Sequence, residues 1–160
     1  MMLAALPETV ARVVADAASK GFRLDVVETR SAARSVEDAA RAIGTIPARI
    51  VKSLVFRGRN SGAACLVLAS GSGRVDEEAL AQHLGEAAMR PDADFVRATT
   101  GFVIGGVSPF GSIQPLATFM DESLFDHPTV WAAAGSPRHV FEAVPLQLRS
   151  ATLARIVKIG

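Results

Sequence analysis

Tyrosine is absent from this 160-residue chain, whose aromatic complement is eight phenylalanines and one tryptophan. Binding unpaired RNA by stacking needs a series of exposed aromatics, so the composition disfavours a non-catalytic module that holds a single-stranded RNA 3′ end. Cysteine occurs once, which excludes an internal disulfide. Cys65 lies in the apolar run AACLVLAS with no activating His or cation beside it, and reads as a core thiol rather than a nucleophile. His83, His127 and His139 are scattered and no zinc spacing exists, so no metal is expected and no cofactor is called for. Neither sign of charge dominates: the net charge is +1. A protein that grips duplex DNA by its phosphates, or a membrane by a polybasic patch, carries a larger basic excess. No apolar run approaches the ~18–20 residues of a membrane span, and the N-terminus lacks the features of a signal peptide. The expected location is the cytoplasm.

What is present is enough apolar material, 49% of residues, for one core in one domain spanning residues 1–160. Pro7 opens a helical pattern through Val10, Val13, Val14 and Ala17, with Gly21 as a stop. FRLDVVE, residues 22–28, alternates and reads as a strand. Ser35 caps a second helix that Gly44 ends. IVKSLVF, the polar turn RGRNSG and the run from Ala63 to Ala69 form the clearest hairpin, followed by a flexible SGSG loop. Asp76 caps a helix to Leu84, and another helical stretch runs from Pro91 to about Thr99. Strands are expected at Leu116–Met120, Val130–Ala133, His139–Val144 and Ala154–Ile159, with a short helix from Pro145. Asp121 caps a short helix after its strand. This irregular alternation excludes a simple repeated βαβ series. It predicts an α/β class protein, a single compact domain with a mixed β-sheet or barrel-like core and surrounding helices.

Three features could carry chemistry. Lys52 interrupts the apolar strand IVKSLVF; it either turns out to protect a sheet edge or faces a group that pairs with it. TGFVIGGVSPFG, residues 100–111, has four glycines in an apolar setting. Glycines admit a ligand close to the backbone and let N–H groups form a nest, yet a bulged strand ending in a Ser-Pro-Phe-Gly turn accounts for the same letters. The stretch is not a Walker loop, since no Gly-Lys-Ser/Thr follows, which disfavours a phosphate binder. The turn at Gly135, Ser136 and Pro137 ends an apolar strand; Ser136 has no nearby His to activate it, so serine nucleophilic catalysis is not expected.

Together, IPARIVKSLVF, TGFVIGGVSPFG, LATFMDESLF and WAAAGSP resemble, in order and chemistry, the YbaK/ProX family of aminoacyl-tRNA deacylases, related to the editing domain of bacterial prolyl-tRNA synthetases. The resemblance spans about residues 20–159. It implies a compact mixed α/β barrel-like fold whose glycine loop lines a pocket for the aminoacylated tRNA 3′ end. The family's lysine falls on Lys52, its loop on Gly101, Gly105, Gly106, Ser108 and Pro109, and its strand-ending turn on Gly135 with Ser136 beside it. Where the Cys-tRNA(Pro)-clearing branch has a Gly-Lys-Arg-Gly type turn, this chain reads Gly135-Ser136-Pro137-Arg138, so that branch's substrate does not transfer. The implied reaction is hydrolysis by water of the ester on a mischarged tRNA. Lys52 would orient the 3′ end or stabilise charge, and Gly105 and Gly106 would offer backbone donors. No residue suggests itself as general base. The implied partner is the tRNA acceptor end, with the rest of the tRNA held either weakly or by an aminoacyl-tRNA synthetase as a second partner.

Overall fold

Val10, Val13 and Ala17 recur at intervals of three and four residues. In the computed structural model, which describes residues 5–160, they form the buried stripe of α1, Glu8–Ser19. The strand expected over residues 22–28 is a correction. Phe22 and Leu24 are buried as the alternation requires, but only β1, Val27–Glu28, lies beside a partner strand and pairs with it. Ser35 caps α2, Val36–Ile43, its hydroxyl accepting from the Asp38 N–H at 3.1 Å. A 3₁₀ turn, Pro47–Arg49, leads into β2, Val51–Gly58, which returns as β3, Ala64–Ser70. Asp76 caps α3, Glu77–Leu84, and β4, Ala88–Met89, is a two-residue strand with no sequence signal. Asp92 rather than Pro91 sets the start of α4, Ala93–Thr100, because its carboxylate takes the Phe95 N–H at 2.8 Å. Next come β5, Ala117–Asp121, and a 3₁₀ turn that Asp121 caps. The chain ends with β6, Val130–Ser136, β7, His139–Ala143, α5, Pro145–Thr152, and β8, Arg155–Val157.

The strands make two sheets. One, in the order β4-β2-β3-β5-β8, is mixed: β2 and β3 are antiparallel, while β3-β5 and β5-β8 are parallel. The other, β1-β7-β6, is antiparallel. A parallel bridge between Ile50 and Trp131 joins them, so the core is barrel-like without closing. Alternation along β3 divides the interior. Leu66 and Leu68 enter the larger cluster with Phe22, Phe102, Phe110 and Phe141; Cys65, Val67 and Ala69 pack with Phe56 and Leu80 on the other face.

Residues 101–110 are a loop, not the bulged strand that their apolar letters allow. Phe102 and Phe110 are its anchors, both fully buried, while the tip at Val103 and Ile104 is exposed. Burying two phenylalanines contributes about 2–3 kcal/mol each, enough to tether a segment with little hydrogen bonding of its own. Helix α1 clamps both ends. Arg12 donates to the carbonyls of Thr100 (3.1 Å) and Gly111 (2.5 Å), and Asp16 accepts from the Gly111 N–H at 2.7 Å.

Candidate active site

A cleft of about 430 Å³ opens between β2, α2, the start of α4, the glycine loop and the β6-β7 hairpin. Its size suits a small organic group. Val51, Val55 and Ala132 contribute apolar wall, and Lys52, Ser53, Arg90, Gly105 and Ser136 contribute polar atoms.

Lys52 pairs with Ala69 of β3 on one side, while β4 reaches β2 only at Arg57 and Gly58 and leaves the other side of Lys52 without a ladder partner. Its Nζ donates to the Gly73 carbonyl in the SGSG loop. Burial, and then the charges of Arg90 and Arg74, hold its pKa below the ordinary lysine value; Glu37 offsets part of this. Arg90 is itself fixed over the Phe56 ring at 5.5 Å. Lys52, Arg34 and Arg90 line the cleft, and among the described residues none of the three is in an ion pair. The cleft is therefore positive inside a nearly neutral protein. Ser53 also lines it, and its Oγ is buried with no hydrogen-bond partner in the protein.

The other sequence-marked residues divide by position. Gly105 and Ser136 line the cleft with Lys52. Gly106 stands just behind: a methyl group on it would lie 3.0 Å from Ser136 Cα and 3.2 Å from the Gly135 carbonyl carbon. Its N–H donates to the Val103 carbonyl at 3.0 Å, so it is spent within the loop's own turn. Gly101, Ser108 and Pro109 do not line the cleft. Gly101 is the left-handed C-cap of α4, and the buried Ser108 hydroxyl accepts from the Phe110 N–H. Gly135 faces α1, with room for no side chain beside the Thr9 carbonyl. Its φ of +104° accompanies a register shift between Ala133 and Ser136, a bulge that re-aims the next side chain.

That re-aimed side chain corrects the expectation that Ser136 has no nearby His. Across the two-residue turn Pro137-Arg138, Ser136 Oγ lies 2.5 Å from His139 Nδ1. The sequence held a signal for this: residues flanking a two-residue hairpin turn sit opposite one another. Arg90, which precedes a proline outside any strand, had none. The core assignment of Cys65 agrees with its environment: it is 3% exposed, and burial pushes its thiol pKa up to about 11.

The cleft thus sets apolar walls beside Lys52 and two guanidiniums on one side and the Ser136 hydroxyl on another. Comparisons with known proteins give the family. Residues 30–151 match the aminoacyl-tRNA editing domain family. The chain belongs to that family, as the YbaK/ProX resemblance implied, and its activity is that of an aminoacyl-tRNA deacylase, an ester hydrolase that edits charged tRNA. It is 34% identical over 132 residues to YwhH of Bacillus subtilis (strain 168), covering 82% of this chain and 83% of that protein. It is 28% identical over 126 residues to EbsC of Enterococcus faecalis (strain ATCC 700802 / V583), named as a candidate Cys-tRNA(Pro)/Cys-tRNA(Cys) deacylase, covering 78% of this chain and 76% of that protein. A crystal structure described as a candidate trans-editing enzyme for prolyl-tRNA synthetase superposes with a TM-score of 0.91 at 39% identity, over 97% of this chain and 98% of that one. Among the described residues no helix is long and apolar enough to cross a membrane.

Proposed function

We propose that residues 1–160 act as one trans-editing domain that clears a mischarged aminoacyl-tRNA in the cytoplasm, with the acceptor end held in the cleft. The observation that carries this is the convergence of Lys52, the glycine loop and the β6-β7 hairpin on one small positive cleft. The terminal phosphates meet Arg34, Arg90 and Lys52, while the aminoacyl group enters the apolar space beyond them. Water attacks the ester carbonyl, and the oxygen gains negative charge in the tetrahedral transition state. Lys52 is stronger toward that oxyanion than toward the neutral ester, which is the difference that accelerates a reaction. The Gly105 N–H supplies a second donor, since Gly106 has already given its own to Val103. Gly101, Ser108, Pro109 and Gly135 support the loop and hairpin that present these groups.

A structural relative is described as serving prolyl-tRNA synthetase. We assign the same source of error here: a synthetase pocket separates small amino acids by only ~1–3 kcal/mol per methylene, so a second site must remove the mistakes. The test is a panel of tRNA(Pro) charged with cysteine, alanine, serine, threonine or proline. Hydrolysis of a mischarged species well above the spontaneous rate, with Pro-tRNA(Pro) spared, is expected. Binding without hydrolysis across the panel would make the chain a 3′-end-binding module instead.

A further inference from the structure

Glu28, His139 and Ser136 stand side by side on three neighbouring strands. The ladder pairs Glu28 of β1 with His139 of β7, and His139 with Ser136 of β6. Residues directly opposite across a ladder point to the same face, so the register itself lines up the three side chains. The contacts follow: Ser136 Oγ to His139 Nδ1 is 2.5 Å, and His139 Nε2 to a Glu28 carboxylate oxygen is 4.0 Å. The row runs from the cleft, which Ser136 lines, through the buried His139 to Glu28, which is 57% exposed.

The neighbours favour one arrangement of protons. A carboxylate beside Nε2 favours the hydrogen there, leaving Nδ1 as an acceptor for the Ser136 O–H. Ser136 Oγ also accepts from the Arg138 N–H at 3.1 Å, so its position is held from two sides. One lone pair of that oxygen is left.

The geometry points to Ser136, driven by His139 and Glu28, as the proton acceptor for the attacking water. This rests on the deacylase reading above. As the water oxygen bonds to the ester carbon, its proton passes to Ser136 Oγ while the serine's own proton moves to His139 Nδ1. The imidazolium formed lies beside the Glu28 carboxylate. When the tetrahedral intermediate collapses, the carbon–oxygen bond to the ribose breaks and the proton returns through Ser136 to the leaving ribose oxygen. Ser136 is unchanged at the end, and no acyl-enzyme forms. Ser136 is the catalytic residue; His139 and Glu28 are positioning residues that act through it. The ionisable groups beside His139 are Glu28 on β1 and Arg138 in the turn, and Arg138 pairs with Glu28 at 3.2 Å.

The experiment is single-turnover deacylation of the best substrate from the tRNA(Pro) panel, with substrate affinity measured on the same variants. Removing a general base lowers the rate by about 10²–10⁴-fold. Ser136→Ala and His139→Asn should each show a loss of this size, with substrate affinity changed about twofold or less. The double variant should be no slower than either single, because the groups work as one unit. Glu28→Gln removes a charge that favours imidazolium and frees Arg138 nearby. Both effects disfavour the imidazolium formed as the water attacks, so the rate should fall about tenfold or more with substrate affinity unchanged, and adding Glu28→Gln to His139→Asn should cost nothing further. Glu28 is exposed, so this variant answers the question even where the buried substitutions do not fold. Wild-type rates in Ser136→Ala, additive losses, or a wild-type rate in Glu28→Gln would each overturn the relay while leaving the deacylase reading intact. A wild type that hydrolyses none of the panel would overturn both.

Discussion

Lys52 is held where its charge is unwelcome. Its pKa lies below the ordinary value, so the unfolded chain binds that proton more tightly than the folded one. The charged lysine therefore opposes folding at neutral pH, and the opposition fades as pH rises through the folded pKa toward the unfolded one. A residue kept at a cost to folding is a mark of a functional site. Lys52→Met should keep or raise Tm at pH 7 and lower single-turnover deacylation about 100-fold. Any gain in Tm over wild type should shrink at alkaline pH, where the wild-type lysine discharges. A Met variant with the wild-type rate would make Lys52 a structural residue. Cys65 shows the opposite case, a nucleophile type made inert by its surroundings, since a thiol with its pKa near 11 carries almost no thiolate at neutral pH.

The glycine loop and the hairpin act as a pair of elements. Gly106 brings their backbones into contact, and the atoms its methyl would meet belong to the main chain of Ser136 and Gly135, which cannot rotate aside. The loop cannot retreat either, because α1 clamps it at Thr100 and Gly111. In Gly106→Ala the strain therefore falls on the hairpin that presents Ser136. We expect a stability loss of about 1–3 kcal/mol from overpacking, with deacylation per folded molecule reduced at least about tenfold. Gly101→Ala is the contrast. It strains a left-handed cap at φ +80° and presses on the Arg12 guanidinium, away from the cleft, so stability falls while the rate per folded molecule falls less than in Gly106→Ala. Melting curves and single-turnover rates on the same preparations decide this. Equal specific activity in the two variants would separate the loop–hairpin contact from catalysis.

For the whole molecule, a net charge of +1 conceals a local excess at the cleft, where Lys52, Arg34 and Arg90 lack acidic partners among the described residues. Contact with about three phosphates of a single-stranded end predicts a slope near −2 for log K against log salt in aminoacyl-tRNA binding. A slope of about −5 or steeper would place the protein along the tRNA body instead. Much of this molecule was legible before folding. Ser35, Asp76 and Asp121 cap helical segments where short polar side chains precede apolar periodicity, and β2-β3 follows from two branched runs around a glycine turn. Those are local rules, set by a few adjacent residues. The motifs around Lys52, Gly105 and Ser136 were likewise visible as letters, and the irregular alternation of strand and helix patterns set the class. The sequence alone could not say that FRLDVVE finds a partner only at its last two residues, or that the glycine stretch is a loop tethered by two phenylalanines and clamped by α1. Nor could it show that Glu28, more than a hundred residues before Ser136, shares its row. These depend on which strand lies beside which, and strand neighbours are chosen by the packing of the whole core rather than by any residue's own preference.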